Sequence, residues 1–232
     1  MTTEYLHCID LSDKLKNFNF CSRHVIESLL LTQILINDPK ENPMAMDMDS
    51  LRNCTPKDID GLTSPRMTII YRASLARKLE RKLTPEEESD VAIADLEIAF
   101  EDGRRKYNGG APSRLSCLYL AENDYDGRIL LGNMFRKYFK RPMIIEVAVL
   151  NNWVLTKVDP HWLNEYLNET KGKEEVIRNY WTGVSFNDQT SWEYLLEGTI
   201  MMTSQQQIEE IEEHVKQEFP IYYEAIMAEK RN

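Results

Sequence analysis

The chain has 232 residues, 42% of them hydrophobic and 28% charged, with a formal net charge of −10. That is enough apolar material for one large domain or two small ones with a real core. The negative balance argues against a chain whose main task is gripping nucleic acid, because phosphate contacts need a basic surface. Two local basic runs, Arg136-Lys137 with Lys140-Arg141 and Arg104-Arg105-Lys106, read as solvated helix ends. The four cysteines, Cys8, Cys21, Cys54 and Cys117, form no C-x-x-C pair and follow no secretory signal. They read as reduced thiols in a cytoplasmic protein. His7, His24, His161 and His214 show no ligand spacing, so no metal is expected. The longest apolar run falls far short of the roughly 18–20 residues that span a bilayer, so no membrane segment is expected.

In chain order, Tyr5–Ile9 reads as a short strand, and Asp10 or Ser12 caps a short helix over Asp13–Phe18. Val25, Ile26, Leu29, Leu30 and Ile34 follow a helical spacing, which predicts a helix over Ser22–Ile36 ended by Asn37-Asp38-Pro39. Residues 37–65 hold Pro39, Pro43, Pro56 and Pro65 and predict a long loop. Met44, Met46 and Met48 alternate there with small and acidic residues, as an irregular loop does. Met67–Lys82 predicts a helix with Ile70, Leu75 and Leu79 inward. Thr84-Pro85-Glu86-Glu87-Glu88 is a helix start: an N-cap, a proline at the first position and acids against the positive end of the dipole. Ile93, Leu96 and Phe100 give that helix its buried stripe.

Asn108-Gly109-Gly110 breaks the chain before Pro112. Leu115–Leu120 then reads as a strand, Glu122–Gly127 as a polar turn, and the next stretch as a helix with Ile129, Leu130, Met134 and Phe135 on one side. Arg114, Ser116 and Tyr119 sit at the strand end of this unit. A strand–turn–helix gathers backbone N–H groups and a few side chains around one concave spot, a common place for anionic or nucleotide ligands. Cys117 reads as a packing residue. Met143–Leu150 and Trp153–Val158 predict two antiparallel strands about an Asn151-Asn152 turn. Helices are expected from Asp159-Pro160, carrying Trp162 and Tyr166, and over Glu174–Trp181. Trp192–Met202 reads as a strand with a bulge at Gly198. Ser204–Gln207 resembles a capping box, and two C-terminal helices divide at Pro220. The pattern predicts one α+β domain over residues 1–232, with a loop and helical insertion at about 37–107 and C-terminal helices over 204–231. No P-loop, dinucleotide or G-x-S-x-G motif is present.

Three polar residues on separate strands, His7, Tyr119 and Glu193, are candidates for one cleft. Each also has a structural reading, as a hydrogen-bonded histidine, a packed tyrosine and a half-exposed strand glutamate. Residues Tyr5–Leu15 resemble the first strand and helix of ADP-ribosyltransferase-like domains. Pro112–Tyr119 is similar to the second motif of a bacterial and phage domain family of uncertain function associated with that fold. Tyr180-Trp181-Thr182-Gly183 and Trp192–Leu196 resemble its closing motif. The resemblance implies a mixed, mainly antiparallel split β-sheet with helices around an NAD cleft. It implies NAD as substrate, with His7 on the adenine-side ribose or the nicotinamide side, Tyr119 stacked on the nicotinamide, and Glu193 on the nicotinamide ribose 2′-hydroxyl, stabilising an oxocarbenium-like transition state. Arg114 would pair with the pyrophosphate, supported by Ser116. Position 191 is Ser, not a second glutamate, which argues against arginine-directed transfer.

Two functions follow from this reading. The first is transfer of ADP-ribose to a protein or nucleic acid, with a protein target favoured by the net charge. The alternative is a non-catalytic acidic interaction protein, a phage-type inhibitor or modulator of a host protein, acting by charge complementarity in the cytoplasm.

Overall fold

The computed structural model describes residues 4–28, 47–53, 64–168, 170–188 and 191–229. The described strands are β1 (Glu4–Asp10), β2 (Val25–Glu27), β3 (Leu118–Glu122), β4 (Pro142–Val158) and β5 (Glu193–Met202). The described helices are α1 (Lys14–Arg23), α2 (Met48–Asn53), α3 (Pro65–Arg77), α4 (Pro85–Tyr107) and α5 (Tyr125–Phe135). They continue with α6 (His161–Asn168), α7 (Lys173–Trp181), α8 (Gln205–Glu218) and α9 (Pro220–Glu229). The sheet runs β2-β5-β3-β1-β4, and a further β5–β4 pairing turns it back on itself as a small barrel. The class is α+β, as the alternation of strand and helix patterns predicts.

The chain's contacts fall into two units. The first comprises residues 1–27, 119–153 and 198–232. Here β1 lies antiparallel to β3, with His7 opposite Leu120, and to β4, with His7 opposite Ile145. The inward residues of these strands, among them Leu6, Leu120, Ile145 and Val147, are fully buried. Asp13 caps α1 by accepting from the Lys16 amide at 3.1 Å. The Asp10 carboxylate accepts from the backbone N–H groups of Ser12, Lys140 and Arg141 and so ties the approach to β4 onto the end of β1. Burial pushes its pKa up, but these hydrogen bonds outweigh it and hold the carboxyl below its ordinary value.

Three local expectations in this unit are corrected. Helix α1 extends to Arg23, and His24 ends it in the left-handed region at φ 57°. Val25–Glu27 is therefore a strand, paired with Met201–Thr199, where helical spacing predicted the second helix. The β-branched Val25 and Ile26 suit that pairing, and tertiary context outweighs the 3.6-residue period. The remainder of the expected helix, like most of the expected loop at 37–65, lies outside the described residues. The hairpin at Asn151-Asn152 is absent too: β4 runs unbroken, and neither asparagine has the positive φ that a primed turn requires. Finally, Ile129 was expected on the buried side of its helix. Phe135 is buried as expected, but its buried companion is Leu131, and Ile129 is exposed.

The second unit comprises residues 28–118 and 154–197. Its centre is α4, the longest described helix, which starts with a full capping box between Thr84 and Glu87. The acids Glu86–Glu88 form its solvent-facing first turn, with Glu87 bound to Arg81 at 2.7 Å. Phe100 meets Tyr166 and Tyr180 edge-on, and the Trp181 indole donates to the Phe100 carbonyl at 2.7 Å. At Gly103 a β-carbon would lie 2.0 Å from Ile177 Cγ2, so only glycine lets α7 approach this closely. The strand predicted over Leu115–Leu120 begins later, at Leu118. Residues 114–116 form a turn instead, closed by the Cys117 amide on the Ser113 carbonyl at 2.9 Å.

Candidate functional site

The first unit holds His7 and Tyr119. The His7 side chain lies 8% exposed on β1, and its Nδ1 donates to the Tyr119 carbonyl at 2.8 Å. That bond assigns the Nδ1–H tautomer to the neutral ring. Burial drives the His7 pKa down to about 4, opposed only in part by the Tyr119 carbonyl. The imidazole is therefore neutral at ordinary pH. Tyr119 is 3% exposed and lies edge-on to Phe135, which stacks on Phe139 at 4.7 Å. The two predicted residues do come together, as packed parts of a core.

The second unit holds Arg114, Ser116 and Glu193, and a charge cluster surrounds the arginine. Arg114 Nε and Nη2 donate to the two oxygens of Glu97 at 3.0 and 3.1 Å, a bidentate fork. Arg114 Nη1 donates to Glu193 Oε1 at 3.0 Å and to the Tyr180 hydroxyl. Arg66 Nη1 reaches Glu97 Oε1 at 3.2 Å. Arg114 is 1% exposed and Glu193 0%. The cluster is built from one helix face: Glu97 and Glu101 both point inward, one turn apart on α4. Glu101 takes Arg104 in a second bidentate pair and accepts from the Ser113 hydroxyl at 2.7 Å. The two glutamates thereby clamp both ends of the Ser113-Arg114 step into the turn that precedes β3.

The two carboxyls bound to Arg114 are pushed in opposite directions. Burial raises the pKa of Glu97, but Arg114 and Arg66 overcome it and hold the group below its ordinary value. At Glu193 burial prevails over the same arginines, helped by the negative charge of Glu97, and the pKa rises. Glu97 is the committed anion of the cluster and Glu193 the protonatable one. Glu193 Oε2 and Ser116 Oγ are buried without a hydrogen-bond partner among the described residues. Burial also lifts Cys117 well above the usual thiol range, which makes it inert packing.

Sequence reasoning singled out Arg114, Ser116 and Glu193 and passed over Glu97, Arg66 and Tyr180. The signal for Glu97 was available: it shares the face of Ala94, Ile98 and Glu101, so the inner stripe of α4 carries two carboxylates that need cationic partners. Arg66 carries no such signal, since it reads as an ordinary helix residue, and Tyr180, although part of the closing-motif resemblance, is given no role by it. Among the described residues no three His, Cys, Asp or Glu side chains gather as metal ligands.

A family model described as "Protein of unknown function (DUF2441)" matches residues 74–213. The chain belongs to this family. The matched segment contains Glu97, Arg114, Ser116, Tyr119, Tyr180 and Glu193; His7 and Arg66 lie outside it. No curated protein matches the chain. The DUF2441 segment thus includes both ends of the Arg114–Glu193 pair and the helix that supplies Glu97, the counter-charge of Arg114. No helix among the described residues is long and apolar enough to cross a membrane.

Proposed function

We propose that this DUF2441 protein is a non-catalytic acidic interaction protein that engages a partner with a basic surface in the cytoplasm. One observation carries the reading: the side chains an NAD cleft would need are withdrawn into packing. Four of the five N–H donors of Arg114 go to Glu97, Glu193 and Tyr180, so a pyrophosphate would have to break a buried bidentate pair. The acidic surplus meanwhile lies outside. Glu209, Glu210, Glu213 and Glu218 are exposed on α8, and Glu86, Glu88, Asp95 and Asp102 on α4. Such acidic faces steer a basic partner and set specificity by charge.

The test pairs two measurements. Thermal unfolding with millimolar NAD or ADP-ribose should show no rise in melting temperature, since a ligand of the folded state would raise it. Binding to an arginine-rich probe peptide should be salt-sensitive and be lost on reversing Glu209, Glu210 and Glu213 to lysine. A melting temperature raised by NAD, or peptide binding untouched by the reversal, sinks the proposal.

A second reading is favoured by the unpartnered Glu193 Oε2 and Ser116 Oγ, because orphaned buried polar atoms often mark a ligand or a catalytic group. In it the chain is ADP-ribosyltransferase-like. Glu193 takes the nicotinamide ribose, and Arg114 and Ser116 take the pyrophosphate. Glu193→Gln should then abolish nicotinamide release from NAD, and a wild-type protein that releases none ends this reading.

A further inference from the structure

Helix α5 turns Leu131 and Phe135 inward and leaves an outward stripe of unusual makeup. Tyr125 is 76% exposed and Ile129, one turn on, 43%. Asn133 and Arg136 continue the same line, with Asp126 and Lys137 along its flank, all exposed. Charge is segregated along the stripe: Glu122, Asp124 and Asp126 cluster at the N-terminal end, and Arg136, Lys137 and Lys140 follow the C-terminal end. We propose that this face of α5 is a two-fold interface on which a second copy of the chain docks, with the two helices antiparallel.

The charge order selects that occupant. An antiparallel second copy sets each acidic end against a basic end, twice, and the helix dipoles also oppose favourably. A uniformly basic partner would meet Arg136 and Lys137 with like charge, and an acidic one would meet Asp124 and Asp126. Only a surface with the same segregation reversed complements the whole stripe, and the stripe itself, turned about a two-fold axis, is such a surface. Asp126 lies in the first turn of α5, and Lys137 in the turn just past its last residue, Phe135. With the axis midway between them, Asp126 of each copy faces Lys137 of the other. Tyr125 then lies near Arg136 of the second copy, a cation–π arrangement, and the two Ile129 side chains flank the centre, with the two Asn133 side chains nearest the axis. One short helix pair covers less than the roughly 1,200 Å² of a standard interface, so the association is weak and appears only at high protein concentration. This inference is independent of the proposed binding to a basic partner, which uses α8 and α4.

Sedimentation velocity of the full chain, over about 10–500 µM at low and high salt, tests it. Dimer should accumulate with concentration and diminish with salt. Ile129→Asp and Asp126→Lys should each weaken dimerisation about tenfold or more. Combining Asp126→Lys with Lys137→Asp should restore it, because the swap re-creates the complementarity in both symmetry-related pairs. Circular-dichroism melts check that each variant is folded, and Tyr125→Ala carries the test if a charge variant is not. A wild type monomeric at every concentration, a dimer indifferent to Ile129→Asp, or a double variant no better than Asp126→Lys alone would each overturn the proposal.

Discussion

Glu97→Gln and Glu193→Gln should have very different costs, although both glutamates bind the same guanidinium. Glu97 accepts Nε and Nη2 of Arg114 and Nη1 of Arg66, and it is 1% exposed. Neutralising it leaves two buried arginines beside Glu193, whose own pKa burial holds above the ordinary carboxylate value. Breaking a buried pair in this way costs about 3–5 kcal/mol. Gln at position 193 keeps an oxygen for Arg114 Nη1 and replaces only Oε2, which has no partner among the described residues. It should cost about 1 kcal/mol or less at neutral pH. The pH dependence sharpens the contrast. The Glu193 pKa is raised on folding, so its contribution is full below the unfolded value and is lost as pH rises through the folded one. Glu193→Gln removes that loss and should gain on wild type as pH rises. The Glu97 pKa is lowered, so its contribution is present above the unfolded value and is lost as pH falls through the folded one. The deficit of Glu97→Gln should therefore grow as pH rises to the unfolded carboxylate value of 4.5 and stay level above it. Urea unfolding at about pH 3.5, 5 and 8, with unchanged m-values, measures both, the Glu97 change falling between the first two points. Equal destabilisation by the two variants at pH 8 would refute the assignment of Glu97 as the fixed anion.

His7 should make stability pH-dependent in a separate window. Its pKa falls from 6.5 to about 4 on folding, so its contribution is complete above 6.5 and disappears as pH drops toward 4. That is on the order of 3 kcal/mol, which His7→Leu should remove from the acid limb of a urea or thermal stability profile. Cys8, Cys21 and Cys117 are buried, with the Cys8 thiol pushed up to about 12. Peptide-resolved iodoacetamide labelling at pH 8 should spare all three until denaturant is added; rapid native labelling of Cys117 would contradict its placement. At Gly127 a β-carbon would sit 2.1 Å from the Glu122 carbonyl oxygen. Gly127→Ala forces backbone to move and should cost about 1–3 kcal/mol in thermal or urea unfolding. A neutral alanine there would show that the Glu122–Gly127 turn is looser than its geometry implies.

Element types were largely legible where local chemistry acts alone. Thr84-Pro85 with Glu87 specified the start of α4 because cap, proline and acid all answer the same unsatisfied N–H groups. Ser204–Gln207 was legible only in half. Ser204 does cap α8, but the Gln207 side chain turns away, accepting from the Glu146 amide at 2.8 Å and donating to the Ile144 carbonyl at 3.1 Å. No local pattern encodes that choice. The same limit hid β2, whose three residues depend on β5 across the sequence, and the continuity of β4 through Asn151-Asn152. At the candidate site the resemblance set Arg114 on a pyrophosphate and Glu193 on a ribose, and in the structure the two side chains bind each other. The inner stripe of α4 marks Glu97 as a carboxylate in need of a cation, but no local pattern names Arg114 as that cation.

The hold of Glu97 on Arg114 explains why a chain would bury so much charge. Ion pairs this deep add little net stability over apolar packing of the same volume, because desolvation offsets the Coulomb gain. Their effect is on alternatives. An Arg114 not held by Glu97 would leave Nε and Nη2 without their bidentate carboxylate in a core that includes Phe100, Tyr180 and Trp181. Misplaced turns before β3 are therefore far costlier than the native one. Glu101 enforces the same rule one helical turn away, through Arg104 and Ser113. The segment from 97 to 114 is thus locked by two carboxylates on a single helix face, and β3 begins four residues after Arg114. On this view Arg114 and Glu193 fix where β3 and β5 enter the sheet, and exchanging the whole cluster for apolar residues should preserve stability while loosening that register. A quadruple variant with Arg66, Glu97, Arg114 and Glu193 replaced by Met or Leu, compared with Glu97→Gln alone, separates the two effects. Retained urea stability with weakened amide protection in β3 supports the register role. Stability lost beyond the single variant would show that the charges themselves hold the unit together.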